Sequence, residues 1–248
     1  MHRNTCLLAA WAVLCCSAGA WAQEAKPAKE AKEHSAYYID ASVVRLAALL
    51  PAPPAAGSAT VQEELATLHR IEAARTPAQV AAAKADDEEE DIFSFRTVLG
   101  DSFRADLLPL TAALSAHVHN EEGVASGEAK KMFARPRPYQ ADKTLHPVCA
   151  VTEARNSYPS GHTLSGYLLA FTLAELLPER KQQILDRADD YAHNRLVCGV
   201  HYPSDLDASR RAAYLVFGYM LATPRFAHDL DAARIELRAH PEFTSASK

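Results

Sequence analysis

The sequence predicts an all-α fold, a single-domain helical bundle, on three observations. Apolar residues recur at the spacing of a helix face, strand-like alternation is scarce, and glycine totals only nine while alanine is abundant, with Pro and Gly falling mostly between the helical blocks, as at Pro178, Gly199, Pro203 and Pro224. Beyond its opening segment the chain keeps just over two hundred residues, enough for one full core, since one core serves up to roughly 250 residues.

Along the chain, a basic start (His2, Arg3), an apolar run from Leu7 to Cys16 and the small residues ending Ala20-Trp21-Ala22 have the layout of a secretory signal peptide over residues 1–22, with cleavage expected after Ala22. The apolar run is too short for a membrane anchor, which needs about 20 residues, so the expected location is periplasmic or secreted. Residues 23–35 carry many charges and almost no large apolar side chain, which predicts a disordered leader. The folded domain is expected over 36–248, with a catalytic half at about 125–222. Leu49-Leu50-Pro51-Ala52-Pro53-Pro54 with Gly57 is stiff and irregular, and a helical pattern begins near Thr60 with Val61, Leu65, Leu68 and Ile71. The pattern returns at Leu107, Leu108, Leu110, Leu114 and Val118, and at Leu164, Tyr167, Leu168 and Phe171. Thr163 to Leu177 and Ala212 to Ala222 are apolar but shorter than the ~20 residues of a bilayer span, and the first holds Glu175. Buried core helices are expected there, with no stable membrane insertion.

Composition excludes some partners. Twenty-six basic against 31 acidic residues, mixed along the chain, leave no basic footprint for nucleic acid or an anionic membrane. Removal of the signal leaves Cys149 and Cys198, which pair as one bridge or stay as two buried thiols; sequence leaves both open. The run Asp86-Asp87-Glu88-Glu89-Glu90-Asp91 is expected to be a solvated surface rather than a metal site, and His117-Val118-His119 with Glu121 and Glu122 a polar helix end.

Three clusters carry chemistry. In Lys130-Lys131-Met132-Phe133-Ala134-Arg135-Pro136-Arg137-Pro138, Lys130 and Arg137 stand seven apart and share a helix face if the helix lasts to Pro136. In Pro159-Ser160-Gly161-His162 a glycine permits close backbone approach, and the amides of a helix start join the Ser160 hydroxyl as an oxyanion site. In Asn194-Arg195 and His201-Tyr202-Pro203-Ser204-Asp205, Pro203 suits the first position of a helix, and Asp205 can hold one ring nitrogen of His201 while the other stays free.

Taken in order, K-x6-RP, PSGH and R-x5-H-x3-D, the clusters resemble the tripartite signature of the type 2 phosphatidic acid phosphatase superfamily, which includes the vanadium-dependent haloperoxidases. With Leu-Leu-Pro-x-Pro-Pro-Ala-Ala-Gly-Ser at 49–58, the chain looks like the class A bacterial non-specific acid phosphatases. The resemblance implies the helical fold of that superfamily and hydrolysis of small phosphomonoesters to an alcohol and phosphate through a phosphohistidine, with no metal and no cofactor. It implies His201 as nucleophile, Asp205 as its orienting partner and His162 as general acid, then base. It further implies phosphate binding by Lys130, Arg137, Ser160, Gly161 and Arg195, and a homo-oligomer, although the residues themselves leave oligomeric state open. Asn194 departs from the family, which has Ser before the arginine, and that puts the Ser's phosphate contact in doubt. A haloperoxidase is disfavoured by the short chain, and a mere phosphate binder by two histidines that binding does not need. The substrate stays open, because Tyr139, Tyr158 and Tyr202 either stack on a leaving group or pack in the core.

Overall fold

Prolines and short polar caps set where the helices of this chain begin. The computed structural model describes residues 36–40 and 42–244; the expected signal peptide and leader lie outside the described residues. In order come α1 (Leu46–Leu49), α2 (Ala59–Ala74), α3 (Pro77–Glu88), a 3-10 turn (Ile92–Phe95), α4 (Arg96–Leu99), α5 (Pro109–Phe133), α6 (Pro138–Ala141), α7 (Gly161–Leu176), a second 3-10 turn (Pro178–Arg180), α8 (Lys181–Val197), α9 (Pro203–Leu221), α10 (Pro224–Arg238) and α11 (Pro241–Thr244). Proline opens α3, α5, α6, α9 and α10, where its missing N–H costs nothing. Ser58, Thr76 and Ser160 cap α2, α3 and α7 by accepting the amides of Val61, Gln79 and Thr163. The described residues contain no strand, as the all-α expectation requires.

The core forms around α7, a helix apolar on nearly every side and therefore buried, packed by α5, α8, α9 and α10. Leu164, Leu168 and Leu173 are fully buried, each contributing about 2 kcal/mol of transfer free energy. The first apolar block is the core helix expected, whereas the second buries one face (Ala212, Ala213, Val216, Phe217, Met220) and exposes Tyr214, Leu215, Tyr219 and Leu221; among the described residues no helix is long and apolar enough to cross a membrane.

Cys149 and Cys198 form a disulfide with Cα atoms 5.2 Å apart across 49 residues, which settles the choice left open by sequence. By loop-closure entropy such a link stabilises by about 4 kcal/mol. It ties the loop after α6 to the C-cap of α8.

Three sequence expectations are corrected. α5 ends at Phe133 with Ala134 left-handed (φ 41), so Lys130 and Arg137 do not share a helix; Arg137 instead N-caps α6. His117 to Glu122 lie in the interior of α5, where Glu121 is buried and accepts the amides of Tyr37 (2.8 Å) and Tyr38 (2.7 Å). That contact pins the segment before α1 onto α5. The acidic run is not simply a solvated surface: Asp86 is buried at the end of α3, bound by Arg187 and by Asn194 (2.7 Å). Arg187 and Arg195 of α8 neutralise Asp86 and Asp87 of that run.

Candidate active site

His201 sits in the turn between α8 and α9. Gly199 makes that turn with φ 75, a conformation open to glycine at little cost. Pro203 then starts α9 and places Asp205 on its first turn, with Asp205 Oδ2 3.2 Å from Nδ1 of His201. The carboxylate is itself fixed: Oδ2 accepts from the Ser157 hydroxyl (2.6 Å) and the Tyr202 amide (2.9 Å), and Oδ1 from Arg135 (2.6 Å). Arg135 also binds Glu64 of α2 (2.8 Å), so two buried carboxylates hold one guanidinium. An acceptor at Nδ1 assigns the proton to that nitrogen and leaves a lone pair on Nε2, which lies 3.1 Å from Nη1 of Arg137. Burial pushes His201 well below the ordinary imidazole value, and Arg137, Arg195 and Lys130 push the same way. Burial raises the Asp205 carboxyl against the pull of Arg135.

The first two motifs meet at the start of α7. A Cβ on Gly161 would stand 2.7 Å from both Lys130 Nζ and Glu122 Oε1, so the absent side chain is what admits the lysine to the helix start. Lys130 is held by Glu122 (2.9 Å), which also accepts from Ser126 (2.7 Å), the three residues lying on one face of α5 at i, i+4 and i+8. Burial opposes ionisation of Glu122, yet Lys130 and Ser126 hold it below the usual carboxylate range. The Ser160 hydroxyl, buried, caps α7 through the Thr163 amide (3.4 Å).

Arg195, only 2% exposed, donates from Nη2 to Asp87 (2.7 Å) and rests Nη1 against the disulfide sulfur of Cys198 (3.6 Å). Its Nε is buried with no partner among the described residues, an unmet donor in a cluster of cations. Arg137 donates to Asn156 (3.1 Å) and to the Val200 carbonyl (3.1 Å). Nε2 of His162 lies 3.4 Å from Glu90 and 3.7 Å from Asp87. Burial and Arg195, then His201 and Lys130, depress its pKa well below the ordinary value.

The fold thus brings together all eight residues expected from the motifs: Lys130, Arg137, Ser160, Gly161, His162, Arg195, His201 and Asp205. Sequence reading missed Asp87, Glu122, Arg135, Glu64 and Ser157, which hold them. Only the i, i+4, i+8 spacing of Glu122, Ser126 and Lys130 offered a local signal. Asn194, the departure from the family pattern, has its amide occupied by Asp86. The three tyrosines pack: Tyr139 donates to the Thr152 carbonyl, Tyr158 to that of Pro51, and Tyr202 lies under the Arg135 guanidinium at 3.9 Å.

The bundle thus sets a buried His–Asp pair beside clustered cations and the N-terminus of α7. Residues 108–228, just under half of the chain, match the model of the PAP2 superfamily and contain all three motifs. Among curated relatives, the non-specific acid phosphatase of Salmonella typhimurium is 39% identical over 116 residues, 46% of this chain and 46% of that protein. In that alignment the chain spans about half the length of the relative. The non-specific acid phosphatase of Providencia stuartii is 28% identical over 213 residues, covering 81% of this chain and 84% of the relative. A solved transmembrane PAP2-type phosphatidylglycerolphosphate phosphatase from Bacillus subtilis is 20% identical with a TM-score of 0.47, over 71% of this chain and 89% of that one.

Proposed function

We propose that this chain is an exported acid phosphatase, hydrolysing small phosphomonoesters without a metal through a phosphohistidine on His201. The observation that carries the proposal is the buried His201, held at Nδ1 by Asp205 with Nε2 directed at Arg137. A phosphomonoester dianion requires positive charge at its equatorial oxygens, an in-line nucleophile and an acid for the departing alkoxide. Lys130, Arg137 and the unmet Nε of Arg195 supply the first, together with the amides at the start of α7.

In the first half-reaction the Nε2 lone pair attacks phosphorus, the ester P–O bond breaks, and His162 gives its proton to the leaving oxygen. Asp205 stabilises the charge that develops on the imidazole. In the second, water loses a proton to His162 and attacks phosphorus, the P–N bond breaks, and phosphate leaves with His201 restored. Arg137 covers Nε2 at 3.1 Å. A bound phosphoryl group offers that guanidinium better acceptors and so uncovers the nucleophile.

The test is hydrolysis of p-nitrophenyl phosphate at mildly acidic pH with excess chelator, beside the His201→Ala variant. Turnover by the wild type and its loss in the variant are expected. Equal turnover by the variant, or activity that needs added metal, would overturn the assignment.

A further inference from the structure

We infer that Asp87 is a positioning residue for the leaving-group step, setting the orientation of both His162 and Arg195 from the end of α3. The inference rests on the phosphatase reading of the site, and it concerns a residue outside all three motifs and outside the matched segment 108–228. Asp87 is where three parts of the fold meet. Its Oδ1 accepts from Arg195 of α8 (2.7 Å), its Oδ2 from the Ala150 amide beside the disulfide (3.0 Å), and Oδ1 lies 3.7 Å from Nε2 of His162 on α7. Its backbone carbonyl stands 3.4 Å from the same nitrogen. The carbonyl contact is a long hydrogen bond and the carboxylate lies beyond hydrogen-bond reach, so together they favour an imidazolium while leaving its proton free to pass to a leaving oxygen.

The charges around His162 show why such a residue matters. Lys130 of α5, Arg195 of α8 and His201 before α9 disfavour a proton on it, and burial adds to them. Asp87 and Glu90, on the remaining side, oppose those cations, and Glu122 beside Gly161 offsets Lys130. A unit charge about 4 Å away, screened less than in bulk water, is enough to decide which protonation state is present.

The experiment compares Asp87→Asn with wild type, under chelator, on p-nitrophenyl phosphate and on an alkyl phosphate of poor leaving group, each across pH. Glu88→Gln serves as control, removing one charge from the same run at an exposed position. The expected result is a loss of roughly tenfold or more on the alkyl ester, a smaller loss on the aryl ester, and an alkaline limb moved to lower pH. Glu88→Gln should leave both substrates and the limb unchanged. Equal losses on the two esters with an unmoved limb would overturn the inference, because a merely structural carboxylate lowers both alike. If Asp87→Asn does not fold, Asp87→Glu, which keeps the charge but displaces it, is read by the same ratio, and an unchanged ratio overturns the inference. Wild-type inactivity on both esters would instead fault the phosphatase reading.

Discussion

At the scale of single residues, burial and neighbouring cations depress both histidines to which the proposed mechanism gives the chemistry, and the two depressions would act differently. A lowered pKa keeps His201 neutral well into acid, as the proposed nucleophile must be. The same displacement leaves His162 protonated only under acid conditions until a phosphate dianion offsets the cations around it. The sign is therefore fixed: kcat/KM should rise as pH falls from neutrality past the ordinary imidazole value of about 6.5. A pH profile of kcat/KM checks this, and a rate climbing above neutral pH would contradict it. These residues were legible in the chain because each motif is local: His201 and Asp205 stand four apart, and Gly161 directly precedes His162. The residues that hold them were not. Asp87 meets Arg195 across 108 positions and Arg135 meets Asp205 across 70, and no window of sequence contains both partners. The acidic run was misread for the same reason, since Arg187, which neutralises Asp86, and Asn194, which donates to it, belong to α8.

Elements do the aligning. The N-terminus of α7 presents its amides where Lys130 arrives from the last turn of α5, and the two approach closely only because Gly161 has no side chain. Gly161→Ala would put a methyl group against the tips of Lys130 and Glu122, both of which can swing aside, so the damage should fall on the site rather than the fold. We predict a fall of roughly tenfold or more in kcat/KM on p-nitrophenyl phosphate. We predict little loss of stability, since alanine is favoured over glycine in a helix by up to about 1 kcal/mol. Steady-state kinetics beside a thermal melt separate the two; an inactive variant that has also lost its cooperative melt would show that the glycine serves packing instead. Helix positions were largely legible, because proline starts and apolar spacing are local. The stop of α5 was not. Pro136 suggested a break at that residue, but the left-handed Ala134 ends the helix first and hands Arg137 to α6.

For the whole molecule, the fold collects cations from α5, the α6 cap and α8 around one imidazole and balances them with carboxylates from α3 and α5. The disulfide fastens the loop beside Asp87 to the end of α8, so the Cys198 sulfur and the Asp87 carboxylate flank Arg195 together. Helical class and apolar core were readable from periodicity. Pairing of the cysteines was not, because only the folded chain brings Cys149 and Cys198 to a Cα separation of 5.2 Å. The central claim, covalent phosphoryl transfer to His201, is tested most directly by mixing enzyme with a phosphomonoester, quenching in alkali, where phosphohistidine survives, and mapping the modified peptide by mass spectrometry. One added phosphoryl group is expected on His201 and none in His201→Ala. A phosphoryl group on another residue, or rapid turnover with none on His201, would contradict it.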